Sequence, residues 1–140
     1  MIYVMQPVWY NKDFYHTIKK ILAEYYPNKA IKHKSFYRLI PNHKTPNTYF
    51  IINDVHLKTW NGIKIAKQIR SKEPHSNLIL ISNDLDYKKM YRTHLCFLGI
   101  LNLSQLDHAE LASYVHDIAS ISYWYQTKTL LVLSKQGLFY

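Results

Sequence analysis

The order of the apolar runs constrains this chain more than any other feature. TYFIIN (48–53) and NLILIS (77–82) are continuous apolar runs of strand length, the pattern of strands buried on both faces. Around them, apolar residues recur at helical spacing. Phe14, Ile18, Ile21, Leu22 and Tyr25 mark one helix, Ile63, Ala66 and Ile69 a second, and Leu111, Val115, Ile118 and Ser122 a last long one. MIYVM (1–5) reads as an opening strand, KAIKH (29–33) as a weaker one and CFLGIL (96–101) as another. SFYRLI (35–40) reads as a short helix or turn, and DLDYKKMY (84–91) as a short amphipathic helix. Pro27 and Pro74 stop the helices before them. Strands that alternate with helices pair in parallel and carry helices on both faces. The predicted fold is therefore α/β: a flavodoxin-like, doubly wound sheet of five parallel strands in the order 2-1-3-4-5, with a C-terminal β-hairpin extension.

The chain has 140 residues, 48% of them hydrophobic, enough for one core. The alternating pattern occupies residues 1–125. Residues 126–140 read as a linker and the start of something else, because KTLLVLSKQGLFY (128–140) has a strand, turn, strand pattern. No apolar run reaches the roughly 18 residues of a membrane span, and MIYVMQPVWY lacks the features of a signal peptide. The single cysteine, Cys96, fits a reducing cytoplasm and, in its apolar setting, a core position. The formal charge of +9 is spread along the chain, with a concentration in NKAIKHKSFYRLIPNHK (28–44). No nucleic-acid motif accompanies it.

In a doubly wound sheet the functional groups gather at the C-terminal ends of the strands. Those ends carry Gln6, Pro7 and Val8, then Asp54, then Ser82 and Asn83, then the segment Asn102 to Ser104. An aspartate closing a buried strand is costly to hide, so Asp54 is the residue to explain.

Asp54, the glycine eight positions later in DVHLKTWNG, and LILIS ending in Ser82 together resemble the receiver domains of two-component response regulators, which have the CheY-like form of this fold. Within that group, YFIINDVHL, NGIKIAKQIR and the proline beyond resemble the Agr-type regulators of quorum sensing and bacteriocin production in Gram-positive bacteria. Such regulators carry a C-terminal LytTR DNA-binding domain, and KTLLVLSKQGLFY resembles its opening strands. The resemblance implies a phosphoacceptor at Asp54, a switch hydroxyl at Ser82, a sensor histidine kinase as partner, and homodimerisation through the fourth and fifth helices and fifth strand. It also implies a Mg²⁺ ion held by an acidic pair after the first strand, and a lysine ending the fifth.

The sequence departs from that chemistry. Gln6, Pro7 and Val8 stand where the acidic pair belongs, and Asp13 reads as a helix-start residue favourable to the dipole. Leu103 is the counterpart of the lysine, with Asn102 or Ser104 as alternative registers; no Lys or Arg occurs between Arg92 and Lys128. Ile100 follows Gly99 where receivers keep an aromatic. Asp54 is then either a phosphoacceptor or a retained carboxylate bonded to backbone amides or Ser82, with His56 or Lys58 as charge partner. Ser82 reads as a cap on the turn after its strand. The histidines show no metal-ligand spacing. The expectation is an atypical receiver-like domain in the cytoplasm that is not an enzyme and needs no cofactor. It associates with a second copy, and it reaches DNA through a domain outside this chain. The alternatives are a working receiver, and a basic module that binds DNA or an acidic partner directly. SYWYQ (122–126) reads either as a partner patch or as the packing site of the terminal hairpin.

Overall fold

The computed structural model describes residues 1–39 and 46–119. Its elements are β1 (Ile2–Met5), α1 (Asp13–Tyr25), β2 (Ile31–Lys34), β3 (Thr48–Asn53), α2 (Gly62–Lys72), β4 (Asn77–Ser82), α3 (Tyr87–Arg92) and β5 (Gly99–Asn102). A further helix, α4, occupies residues 108–119. The strands form one sheet in the order β2-β1-β3-β4-β5, and every neighbouring pair is parallel. That is the predicted topology. The predicted C-terminal hairpin, Ser122, and the SYWYQ segment lie outside the described residues.

The continuous apolar runs are explained by two cores, one on each face. Alternate strand residues Ile2, Val4, Phe50, Ile52, Ile79 and Ile81 face α1 and α4. Their neighbours Tyr3, Met5, Tyr49, Ile51, Leu78 and Leu80 face α2 and α3. Each isoleucine or leucine so buried contributes about 1.5–3 kcal/mol. The edge strand β2 is half-exposed, which is why IKHK could carry alternating lysines and still pair.

Four local expectations need correction. CFLGIL is not a strand from residue 96: β5 starts at Gly99, because His94 and Cys96 both adopt φ of 55° and turn the chain. Cys96 is accordingly exposed and not in the core. Tyr25 sits at helical spacing on α1 but is exposed, its ring lying edge-on to His116 of α4. SFYRLI forms bends followed by irregular chain as far as residue 39, where the described segment ends. Tyr37 anchors this stretch by donating to Glu73 at 2.7 Å, and Glu73 also accepts from Asn47 at 2.7 Å and Tyr49 at 2.5 Å.

Candidate functional site

Asp54 is the first residue beyond β3, and the loop that follows is pinned at both ends. Leu57 N–H closes a turn onto the Asp54 carbonyl at 3.0 Å. Trp60 Nε1 donates back to the Ile52 carbonyl at 2.8 Å. Asn61 caps α2 by accepting from Lys64 N–H at 3.1 Å. Gly62 then starts the helix so close to β3 that an added Cβ would lie 2.6 Å from the Ile52 carbonyl oxygen. The Asp-to-Gly spacing thus has a steric cause: the eighth residue abuts the strand end, and only glycine fits without displacement.

The Asp54 carboxylate is held by neutral donors. Oδ1 accepts from Asn83 Nδ2 at 2.8 Å and from His56 N–H at 3.0 Å, and Oδ2 accepts from the Tyr10 hydroxyl at 3.1 Å. Asn83 doubles as a brace, since its Oδ1 accepts from Val55 N–H at 2.9 Å. Burial works against ionisation of Asp54. The hydrogen bonds from His56 N–H, Asn83 and Tyr10, with the pull of the His56 side chain, outweigh it and hold the carboxyl below its usual range. The Tyr10 hydroxyl is pushed up to about 12 by burial, by its bond to Asp54 and by that residue's charge.

Lys58, the other expected charge partner, is exposed and is not among the groups bonded to Asp54. Ser82 is fully buried and does not bond to Asp54 either. Its hydroxyl accepts from Asn53 Nδ2 at 3.0 Å and from Asp84 N–H at 2.9 Å, tying β3 to β4 and shaping the turn beyond. The neighbour Asn83 makes the contact instead. Tyr10 carries no sequence signal for such a role: it lies five residues past β1 and reads as one more aromatic in a tyrosine-rich chain.

The end of β1 supplies no carboxylate. Gln6 is buried, and its Nε2 donates to the carbonyls of Asn11 at 3.2 Å and Tyr10 at 3.5 Å, which shapes the loop that carries Tyr10. Its Oε1 has no hydrogen-bond partner among the described residues. Pro7 is buried and accepts from Tyr10 N–H at 3.1 Å, while Val8 is exposed. Asp13 opens α1 and is tied to Asn11, whose Nδ2 donates to it at 3.0 Å. A hard cation wants several carboxylate oxygens. The residues here do not match the acidic set implied by the receiver resemblance, and no group of three or more His, Cys, Asp or Glu gathers as a metal site among the described residues.

At the end of β5, Leu103 N–H donates to the Ser82 carbonyl at 2.9 Å. Leu103 and Ser104 line a depression of about 380 Å³ together with Tyr10, Asp13, Asp54 and Asn83; Asn102 does not line it. Asn102 instead accepts from Ser104 N–H at 2.9 Å. Among the described residues, no lysine, arginine or histidine lines this depression. A larger hollow of about 450 Å³ opens at the other end of the sheet, lined by Met1, Ala30, Thr48, Asn77 and Ile118 among others.

This architecture is that of response-regulator receiver domains. A signal receiver domain of a DNA-binding response regulator from Colwellia psychrerythraea superposes with a TM-score of 0.61 at 14% identity, covering 85% of this chain and 97% of that one. A response regulator from Thermotoga maritima gives 0.60 at 13% identity, covering 85% and 97%. The phosphorylated cyanobacterial phytochrome response regulator RcpA gives 0.59 at 12%, covering 87% and 93%. At these identities the likeness is one of fold. No protein-family model and no curated protein sequence matches the chain. Among the described residues, no helix is long and apolar enough to cross a membrane.

Proposed function

We infer that this chain is the receiver-type regulatory domain of a response regulator that controls transcription, and that it works by protein–protein association and not by taking up a phosphoryl group at Asp54. The observation that carries this reading is the Asp54 carboxylate, occupied by Tyr10, Asn83 and the His56 amide, with no cation among the described residues that line the depression above it. Phosphoryl transfer brings an anion to an anion, so catalysis there is chiefly positioning and charge stabilisation. Losing a single electrostatic stabiliser costs roughly a hundredfold or more in rate. By the receiver resemblance Leu103 is the counterpart of the lysine, with Asn102 or Ser104 as alternative registers, and Gln6, Pro7 and Val8 stand where the acidic pair belongs. Mg²⁺ has no part in this reading.

The association is homodimerisation through the face of α3, β5 and α4. Tyr87 and Tyr91 on α3, 60% and 83% exposed, support it, since large exposed aromatics in one place mark contact surfaces. DNA is reached through a LytTR-type domain beyond residue 125, in a cytoplasmic regulator of the quorum-sensing type. Sedimentation velocity tests the association: wild type and Asp54→Ala should form the same dimer, and Tyr91→Glu should weaken it. A monomeric wild type, or a dimer lost in Asp54→Ala, would overturn the reading.

A second reading, an active phosphoacceptor, draws on one observation: Asp54 is held ionised, as an attacking carboxylate must be. Its distinguishing result is a response to beryllofluoride with Mg²⁺. A module that contacts nucleic acid directly rests on the charge of +9 alone, and would bind duplex DNA with strong salt dependence.

A further inference from the structure

The charge of +9 is unevenly placed on the fold. All nine acidic side chains of the chain lie among the described residues, and Asp84, Asp86, Asp107, Glu110 and Asp117 stand between β4 and the end of α4. Asp54 and Glu73 are engaged by the neutral donors described above, and Asp13 by Asn11. The other edge of the sheet, formed by β2 and α1, carries Lys12, Lys19, Lys32, Lys34 and Arg38 against Asp13 and Glu24. None of these five cations forms an ion pair with an acidic side chain; the pair Lys89–Asp84, at 2.8 Å, belongs to the far side of the sheet.

Aromatic rings set these cations in place instead. Lys32 and Lys34 pair in register with Tyr3 and Met5, so they point to the face that carries α2 and α3. There Lys34 Nζ lies 4.8 Å over the Tyr3 ring. On the other face Lys19 Nζ stands 6.0 Å from the Tyr15 ring, and that ring meets His33 of β2 edge-on at 6.2 Å. Past the end of β2, Arg38 Cζ lies 5.9 Å from the Phe36 ring. Such contacts orient a cation without neutralising it. Burial and the uncancelled charge of Lys12 push His33 below its ordinary value.

Lysines on an edge strand discourage strand-to-strand pairing, which accounts for Lys32 and Lys34. It does not account for Lys12, Lys19 and Arg38. Lysine is depleted at protein–protein interfaces, whereas protein–DNA interfaces are much more positively charged. We propose that the α1–β2 edge is a contact surface for the phosphate backbone of duplex DNA, with Lys12, Lys19, Lys32, Lys34 and Arg38 as its phosphate contacts. The lysines straddle β2, Lys12 and Lys19 on one side and Lys32 and Lys34 on the other, so a backbone lying along the edge meets both rows. Contacts of this kind carry no sequence information and hold the domain against the duplex. The inference goes beyond the association reading, in which DNA is reached through a separate domain, and stands or falls apart from it.

The test titrates the whole 140-residue chain into a fluorescein-labelled duplex of mixed sequence and reads anisotropy over a range of salt concentrations. Binding at low salt is expected with a Kd of about 100 µM or tighter, and log K should fall against log salt with a slope of about −0.9 for each phosphate neutralised. Lys12→Gln/Lys19→Gln and Lys32→Gln/Lys34→Gln should each make that slope shallower by about 1.8. Lys32→Arg/Lys34→Arg should leave it unchanged. Lys64→Gln/Lys67→Gln, which removes the same charge from the exposed side of α2, should leave it unchanged as well. Absence of binding, or an equal loss of slope in the α2 variant, would overturn the proposal. Polyglutamate or phosphatidylserine vesicles binding more tightly than the duplex, with the same dependence on the edge lysines, would overturn it in favour of an acidic protein or a membrane. A dimer that persists while the duplex stays unbound would sink this inference and leave the association reading standing.

Discussion

The Tyr10 hydroxyl donates to Asp54 Oδ2 at 3.1 Å, joining two residues 44 apart in the chain. This one bond ties the loop after β1 to the end of β3. In doing so it sets a phenol, a neutral donor with a high pKa, against the carboxylate, where the receiver resemblance implies cations. Tyr10→Phe removes a hydrogen bond that favours the ionised acid. The Asp54 pKa is then expected to rise, read from the carboxyl chemical shift in an NMR titration. An unchanged Asp54 titration would mean that Asn83 and His56 N–H alone hold the carboxylate.

The two partners give stability opposite pH limits. Asp54 has its pKa depressed in the folded state, so its contribution is present above the unfolded carboxyl pKa and is lost as pH falls through the folded one. Tyr10 has its pKa raised to about 12, so its contribution is full below the unfolded phenol pKa and is lost as pH rises towards 12. Denaturation midpoints of wild type and Tyr10→Phe should therefore converge at alkaline pH. A constant gap up to pH 12 would contradict the assignment.

Arg70 is the staple of the opposite face. Its guanidinium donates to the carbonyls of Leu95 at 2.9 Å, Pro74 at 2.9 Å, Ser76 at 2.8 Å and Cys96 at 3.4 Å. It thereby fixes both the end of α2 and the turn that precedes β5. Arg70→Met keeps most of the stem and leaves those carbonyls without their donor, at a cost of about 2–3 kcal/mol. Urea denaturation reads this directly, and a loss well under 1 kcal/mol would show that water replaces the guanidinium freely.

Gly62→Ala tests the steric origin of the Asp-to-Gly spacing. The new Cβ would meet the Ile52 carbonyl oxygen at 2.6 Å and Asn53 Cβ at 2.7 Å, backbone and strand-end atoms with little room to move. An overpacking cost of about 1–3 kcal/mol is expected, although alanine is the better helix former. A stabilised variant would show that helix propensity, not the close approach, governs this position.

The sheet was legible in the sequence because burial on both faces leaves one reading for a continuous apolar run. Ile51 and Ile52 point to opposite cores, and both must be apolar. Asp54 and Gly62 were legible because a strand end and a steric contact fix their spacing. The partners of Asp54 were not. Tyr10 reaches it through loop geometry that Gln6 helps to set, and a hydrogen bond across 44 residues leaves no local pattern. Asn83 stands beside Ser82, the hydroxyl that the receiver resemblance singles out, and one residue decides which side chain faces the carboxylate. The misread at Cys96 has a similar source, since a left-handed turn at two non-glycine residues is invisible to hydrophobic pattern.

Beryllofluoride with Mg²⁺ mimics the acyl phosphate of a receiver, and it bears most directly on whether Asp54 takes part in phosphoryl chemistry. Amide NMR of the chain should be unchanged at Asp54, Ser82, Asn83 and Leu103 when both are added, with Asp54→Ala indistinguishable in its lack of response. Saturable shifts at those amides, lost in Asp54→Ala, would contradict the association reading and restore Asp54 as a phosphoacceptor.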